Sequence, residues 1–151
     1  MKKLISLFSA ILMITALFTF PVHAQEIETI EYLPDGSYFV TTTTTNNSFN
    51  ESGIRRLSYV KSGAKDVSYF TASDIKVFTY RVTGTFKYDG NTATCTKASS
   101  ELIYIHSDCQ STTYSAYASG NKAIGNISTY YHGVHLTKTV TLTCDKNGNI
   151  S

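Results

Sequence analysis

The sequence predicts an all-β fold of antiparallel strands, and three observations predict it. Beyond residue 24, Thr, Tyr, Val, Ile and Phe dominate, residue types that fit a pleated, half-buried surface. No window of a dozen residues there spaces its apolar side chains as a helix would, whereas several runs alternate apolar with polar. Turn signals built from Gly, Asn, Asp or Pro interrupt those runs at short intervals, which is the pattern of a β-sandwich or barrel.

Residues 1–24 read as an export signal and not as part of the fold. Lys2 and Lys3 precede an apolar run from Leu4 to Phe20, Pro21 breaks it, and Val22-His23-Ala24 supplies small residues for cleavage before Gln25. A run of this length with an alanine-type site fits a cleaved signal better than a membrane anchor, so the expected location is extracellular, without membrane insertion after cleavage. The remainder suits one domain, divided into a hairpin with a polar linker over 25–53 and a β-sandwich over 54–151. Lys2 and Lys3 leave with the signal, so the formal net charge of +2 falls to about zero. A neutral chain whose one basic doublet is Arg55-Arg56 is not steered towards nucleic acid.

The stretch "ETIEYLPDGSYFVTTTTT" predicts a hairpin, with strands around Ile27–Tyr32 and Ser37–Thr44 joined at Leu33-Pro34-Asp35-Gly36. Alternation is lost in "TNNSFNESG", which predicts a linker and a loosely attached hairpin. The clearest strand is "DIKVFTYRVTGTFKYDG": Phe78, Tyr80, Val82, Phe86 and Tyr88 share one face, and Thr79, Arg81, Thr83, Thr85 and Lys87 the other. Gly84 falls on the apolar face, where it marks a bulge or a close neighbour. "KDVSYFTASD" supplies a partner strand before it, and Asp89-Gly90-Asn91 turns the chain into "TATCTKA" after it. "ELIYIHS" and a long alternating run follow, with hairpin points at Ser119-Gly120-Asn121 and His132-Gly133 and a terminal "DKNGN" turn.

Taken together, the "DGSY" hairpin, the Thr-rich spacer, "VTGTFKYDGNTATCTKAS", "ASGNKA" and the closing "KTVTLTCDKNGNIS" resemble a group of small secreted β-rich proteins of Gram-positive anaerobes, chiefly clostridia. The resemblance spans nearly all of residues 25–151 and implies secretion and a β-rich domain, but no activity. Such proteins often carry a tryptophan after the "SD" of the middle segment; Cys109 stands there in this chain.

Three cysteines in an exported protein suggest one pair and one leftover thiol. Loop entropy separates Cys95–Cys144 (about 4 kcal/mol) from Cys95–Cys109 (about 3 kcal/mol) too little to decide. Strand phase favours Cys95–Cys144, since both fall at inward positions and Cys109 follows Ser107-Asp108 in an expected loop; reduced buried thiols are the other alternative. The spacing is that of an immunoglobulin disulfide, but Leu142 stands where a tyrosine corner needs Tyr, so that likeness is one of architecture only.

The chemistry-bearing candidates are sparse. Cys109 would need a base such as His106, oriented by a group such as Asp108, to act as a nucleophile. His132 and His135 flank Gly133, yet two imidazoles fall short of the three or four ligands that zinc takes. Asp145 in "DKNGN" lacks the alternating carboxylates of a calcium loop, and there is no Gly-x-Ser-x-Gly elbow, so neither a metal nor another cofactor is expected. Tyr114, Tyr117, Tyr130 and Tyr131, set among Ser, Thr, Asn and Gly, have the composition of an adaptable recognition surface for a protein or glycan, although Tyr also simply suits exposed strands. The expectation is a secreted, non-enzymatic binding module. The alternatives are a small hydrolase or metal-dependent enzyme using His106, Asp108 and Cys109 or His132 and His135, and an envelope protein assembled through strand edges.

Overall fold

The computed structural model describes residues 25–46 and 58–151, so the expected export signal and most of the expected linker lie outside the described residues. Within them the chain forms eight strands and no helix: β1 (Gln25–Tyr32), β2 (Tyr38–Asn46), β3 (Tyr59–Phe70), β4 (Lys76–Tyr88), β5 (Ala93–Ile105), β6 (Cys109–Ser119), β7 (Lys122–Tyr131) and β8 (Val134–Thr143). A five-stranded sheet has the order β1-β2-β3-β4-β5 and a three-stranded sheet the order β6-β7-β8, with every pair antiparallel. Within each sheet every strand therefore pairs with the next in sequence, and the chain changes sheet once, between β5 and β6. That is a meander, without the Greek-key connections of an immunoglobulin domain.

The sequence boundaries hold closely for β1 and β2, but the hairpin they form is not loose. β2 pairs with β3 from Tyr38↔Phe70 to Asn46↔Ser62, so the larger sheet runs without a break from β1 to β5. "TATCTKA" and "ELIYI" likewise belong to one strand, β5, whose register with β4 shifts between Thr79 and Tyr80 and between Thr85 and Phe86.

β4 lies at the centre of the core, as its alternation demands. Phe78, Tyr80, Val82 and Phe86 are fully buried on its inner face, and burying Phe78, Val82 or Phe86 contributes roughly 1.5–3 kcal/mol apiece. The inner face of the smaller sheet supplies Ala123, Ile127, Tyr131, Val140 and Leu142 to the same cluster. Two glycines set how closely the sheets meet. A Cβ on Gly125 of β7 would stand 2.3 Å from Val82 Cγ2 and 2.4 Å from the Tyr80 hydroxyl, and one on Gly84 of β4 would stand 3.0 Å from the Ala123 Cβ. The Tyr80 hydroxyl crosses between the sheets to donate to the Ser115 carbonyl at 2.8 Å. Lys65 makes a second crossing from β3: its ammonium donates to the Thr141 carbonyl at 2.8 Å, and burial pushes its pKa down.

The closing "DKNGNIS" does more than turn. Asp145 Oδ1 accepts from the Asn147 and Asn149 amides (both 2.8 Å), and Oδ2 accepts from the Asn149 side chain at 2.7 Å. The chain then doubles back: Thr143 and Ser151 exchange backbone bonds of 2.8 and 2.9 Å, and Ile150 is buried against Gly63. Gly148 holds a positive φ of 83° at the turn and lies under the Tyr88 ring.

Two outcomes follow from this packing. Gly125→Ala should lose about 3 kcal/mol of stability in urea unfolding, because the new methyl overpacks the contact between the sheets and both neighbours are fully buried. Hydrogen bonds, led by the Asn149 side chain, hold the Asp145 carboxyl below its ordinary pKa of 3.8. A depressed folded pKa gives stabilisation that is complete above pH 3.8 and lost as pH falls through the folded value. Amide exchange at Asn147 and Asn149 should therefore accelerate below pH 3.8 beyond its intrinsic pH trend, and Asp145→Asn should abolish that pH dependence.

Candidate functional site

The alternation that buries one face of the smaller sheet exposes the other. β7 sends Ala123, Gly125, Ile127, Thr129 and Tyr131 inward, which leaves Ile124, Asn126, Ser128 and Tyr130 facing out. Its register with β6 and β8 lays the outer residues in rows: Gln110–Tyr130–His135, Thr113–Ser128–Thr137, Ser115–Asn126–Thr139 and Tyr117–Ile124–Thr141. Rows lie about 7 Å apart along the strands. The two middle rows hold only small polar side chains, while the flanking rows carry Tyr130, His135, Tyr117 and Ile124, and the face forms a trough of about 390 Å³ over β7.

The trough combines fixed and adaptable groups. Tyr130 stacks on His135, with ring centroids 4.6 Å apart and planes within 15°. His135 Nε2 shares a 2.8 Å hydrogen bond with the Ser128 hydroxyl, and Thr139 donates to Asn126 Oδ1 at 2.8 Å. Lys138 also borders the trough, but its ammonium turns to the other side of the sheet, onto Glu31 at 2.7 Å and over the Phe39 ring at 4.0 Å. The floor thus presents hydroxyls and a carboxamide, and neither a carboxylate nor an ammonium.

The four tyrosines expected at a surface are divided by strand phase. Tyr117 (52% exposed) and Tyr130 (42%) face outward in the two rows that flank the trough. Tyr114 has inward phase and meets the buried Tyr80 edge-on at 6.1 Å, although it lies on an edge strand and stays half exposed. Tyr131, only 8% exposed, belongs to the core. Sequence reasoning missed the Ser/Thr/Asn floor, whose signal was the same-phase pair Thr137 and Thr139 in β8.

The candidate catalytic residues are regrouped. His106 and His132, from turns far apart in sequence, converge on Asp108: its Oδ2 is 3.9 Å from His106 Nδ1 and 3.4 Å from His132 Nε2. His106 Nδ1 also accepts the Asp108 amide at 3.2 Å. His135 is not with them, being on the outer face beside Tyr130. Cys109 is no loop residue but the first residue of β6, half-buried, its thiol 3.8 Å from the Val77 carbonyl and turned inward. Among the described residues no three His, Cys, Asp or Glu side chains form a group that could hold a metal ion.

No protein-family model, curated protein or solved structure matches this chain. Its own geometry carries the functional reading.

The disulfide expected between Cys95 and Cys144 is not formed, and all three cysteines are free. The inward phase assigned to both is correct: they are buried, and both pack at the β6–β7 turn, the Cys95 amide donating to the Gly120 carbonyl (2.7 Å) and the Cys144 amide to that of Asn121 (3.0 Å). Each thiol instead donates to a carbonyl of its own segment, Cys95 to Lys97 at 3.3 Å and Cys144 to Asp145 at 3.4 Å. Burial pushes both thiols up from their ordinary pKa. In the reduced, native protein both should therefore react with a thiol-specific reagent no faster than the chain opens, and at full speed in denaturant; rapid native labelling of either would contradict this burial.

Proposed function

We propose that the protein is an extracellular, non-enzymatic binding module of β-sandwich architecture, exported after removal of residues 1–24, and that the trough on the smaller sheet holds its ligand. This reading places it with the small secreted β-rich proteins of Gram-positive anaerobes that its sequence resembles. The observation that carries it is the pairing of an uncharged floor (Thr113, Ser115, Asn126, Ser128, Thr137, Thr139) with aromatic flanks at Tyr117 and Tyr130. Aromatic rings supply contact area at low entropic cost, and small hydroxyl and amide groups supply adaptable hydrogen bonds. Between the protein and glycan ligands the sequence allows, a floor without charge favours a neutral, hydroxyl-rich glycan, and the reading needs no cofactor.

A second reading, a small hydrolase, has in its favour the convergence of His106 and His132 on Asp108. Against it, the nearest thiol turns to the Val77 carbonyl rather than to either imidazole.

Titrating the isotope-labelled protein with neutral oligosaccharides should move the amide signals of Asn126, Ser128 and Thr137. Tyr130→Ala and Tyr117→Ala should each weaken binding at least about tenfold, or 1.4 kcal/mol, without changing the unfolding midpoint by more than a few degrees. Shifts confined to other surfaces, or variants that bind as well as the parent, would remove the trough from consideration. Hydrolysis of an oligosaccharide or ester that is lost in His132→Ala would favour the second reading.

A further inference from the structure

β1 is one edge of the larger sheet, and it lacks most of the devices that keep such edges from pairing. It has no proline, lysine or arginine, and all eight of its residues keep unbroken register with β2, from Gln25↔Thr45 to Tyr32↔Tyr38, so no bulge twists the edge away. Among the described residues no strand pairs with its outer side. Its large apolar residues are exposed: Ile27 by 50%, Ile30 by 51% and Tyr32 by 71%. The one guard is charge, from Glu26, Glu28 and Glu31, the last of them ion-paired with Lys138 of its own chain at 2.7 Å.

Those glutamates also select a partner and a register. Cross-strand residues share a face of the sheet, and like charges placed directly opposite each other are destabilising. If a second copy pairs antiparallel on β1 about a two-fold axis, the register centred on Glu28 sets Glu28 against itself, and the register centred on Ile27 sets Glu26 against the partner's Glu28. The register centred on Thr29 avoids both and pairs residues 26–32, a longer stretch than the register centred on Ile30, which also avoids them but pairs only 28–32. The Thr29 register sets Glu26 against the partner's Tyr32, Ile27 against the partner's Glu31, Glu28 against the partner's Ile30, and Thr29 against itself. Every glutamate then packs its stem beside an exposed apolar side chain.

We propose that β1 is a homodimerisation edge, pairing antiparallel with β1 of a second copy about a two-fold axis through Thr29. The contact is self-complementary, as a closed two-fold interface must be. Residues directly opposite keep the same face, so the axis is perpendicular to the sheet and the two larger sheets join into one. Both smaller sheets then lie on the same side of it.

Sedimentation velocity of the purified chain over a wide concentration range, with Thr29 variants, tests this. The expected result is a reversible monomer–dimer equilibrium. Thr29→Lys and Thr29→Glu, each opposing like charges at the axis, should each weaken the dimer at least about tenfold with circular dichroism unchanged, and an equimolar mixture of the two should restore it. A parent chain that stays monomeric at millimolar concentration overturns the proposal. So does a Thr29→Lys chain that dimerises as the parent does, or a mixture that stays monomeric. Because Thr29 lies outside the trough, none of these outcomes bears on oligosaccharide binding.

Discussion

The structure depends on one constraint, the absence of side-chain volume where β7 crosses β4. At Gly125 the backbone of the smaller sheet comes down onto Val82 and the ring end of Tyr80, and at Gly84 the larger sheet receives Ala123 in return. That approach lets the Tyr80 hydroxyl find the Ser115 carbonyl, so a phenol that would otherwise be a costly buried donor becomes a tie between layers. It also fixes the outer face. With Gly125 and its neighbours held against β4, the rows that carry Tyr130 and Tyr117 are set at a fixed spacing on the opposite side of the same strand. The packing of the core and the shape of the trough are two sides of one short segment of β7.

What could be read along the chain was whatever depends on period and turn chemistry. The alternation of "VFTYRVTGTFKY" located β4 and its inner face, and the "PDGS", "SGN" and "HG" turns placed the hairpins. The placement of Cys109 failed because "HSDC" has loop composition, whereas the turn ends at Asp108 and the strand begins at once. Lys65 was not legible either: a lysine at inward phase reads as a break in the pattern, and only the long stem and the Thr141 carbonyl opposite explain it. A hairpin whose linker has lost alternation also looks detached, although hydrogen bonding between β2 and β3 owes nothing to the segment that joins them.

The candidate site was half legible for a related reason. Tyr117 and Tyr130 belong to a composition that suggests recognition, but phase alone separates them from Tyr114 and Tyr131, and phase across the bulge between Gln110 and Thr113 cannot be counted from sequence. The trough is a property of register, made by residues of three strands that happen to be small in the same rows. The meeting of His106 and His132 at Asp108 is likewise a matter of two turns brought to one end of the fold. Neither arrangement leaves a spacing motif.

The meander has a consequence for the order in which the chain becomes soluble. Each strand of the larger sheet finds its neighbour immediately after it in sequence, so local pairing is quick and needs no distant segment. Among the described residues the cover for that sheet comes from β6 to β8 and the closing segment through Ile150, which are synthesised last. A growing chain can thus complete a sheet whose inner face, lined by Phe78, Tyr80, Val82 and Phe86, has nothing to pack against until β7 arrives. The hazardous interval in the life of this protein is that wait, when a well-formed half presents its core to every other chain nearby.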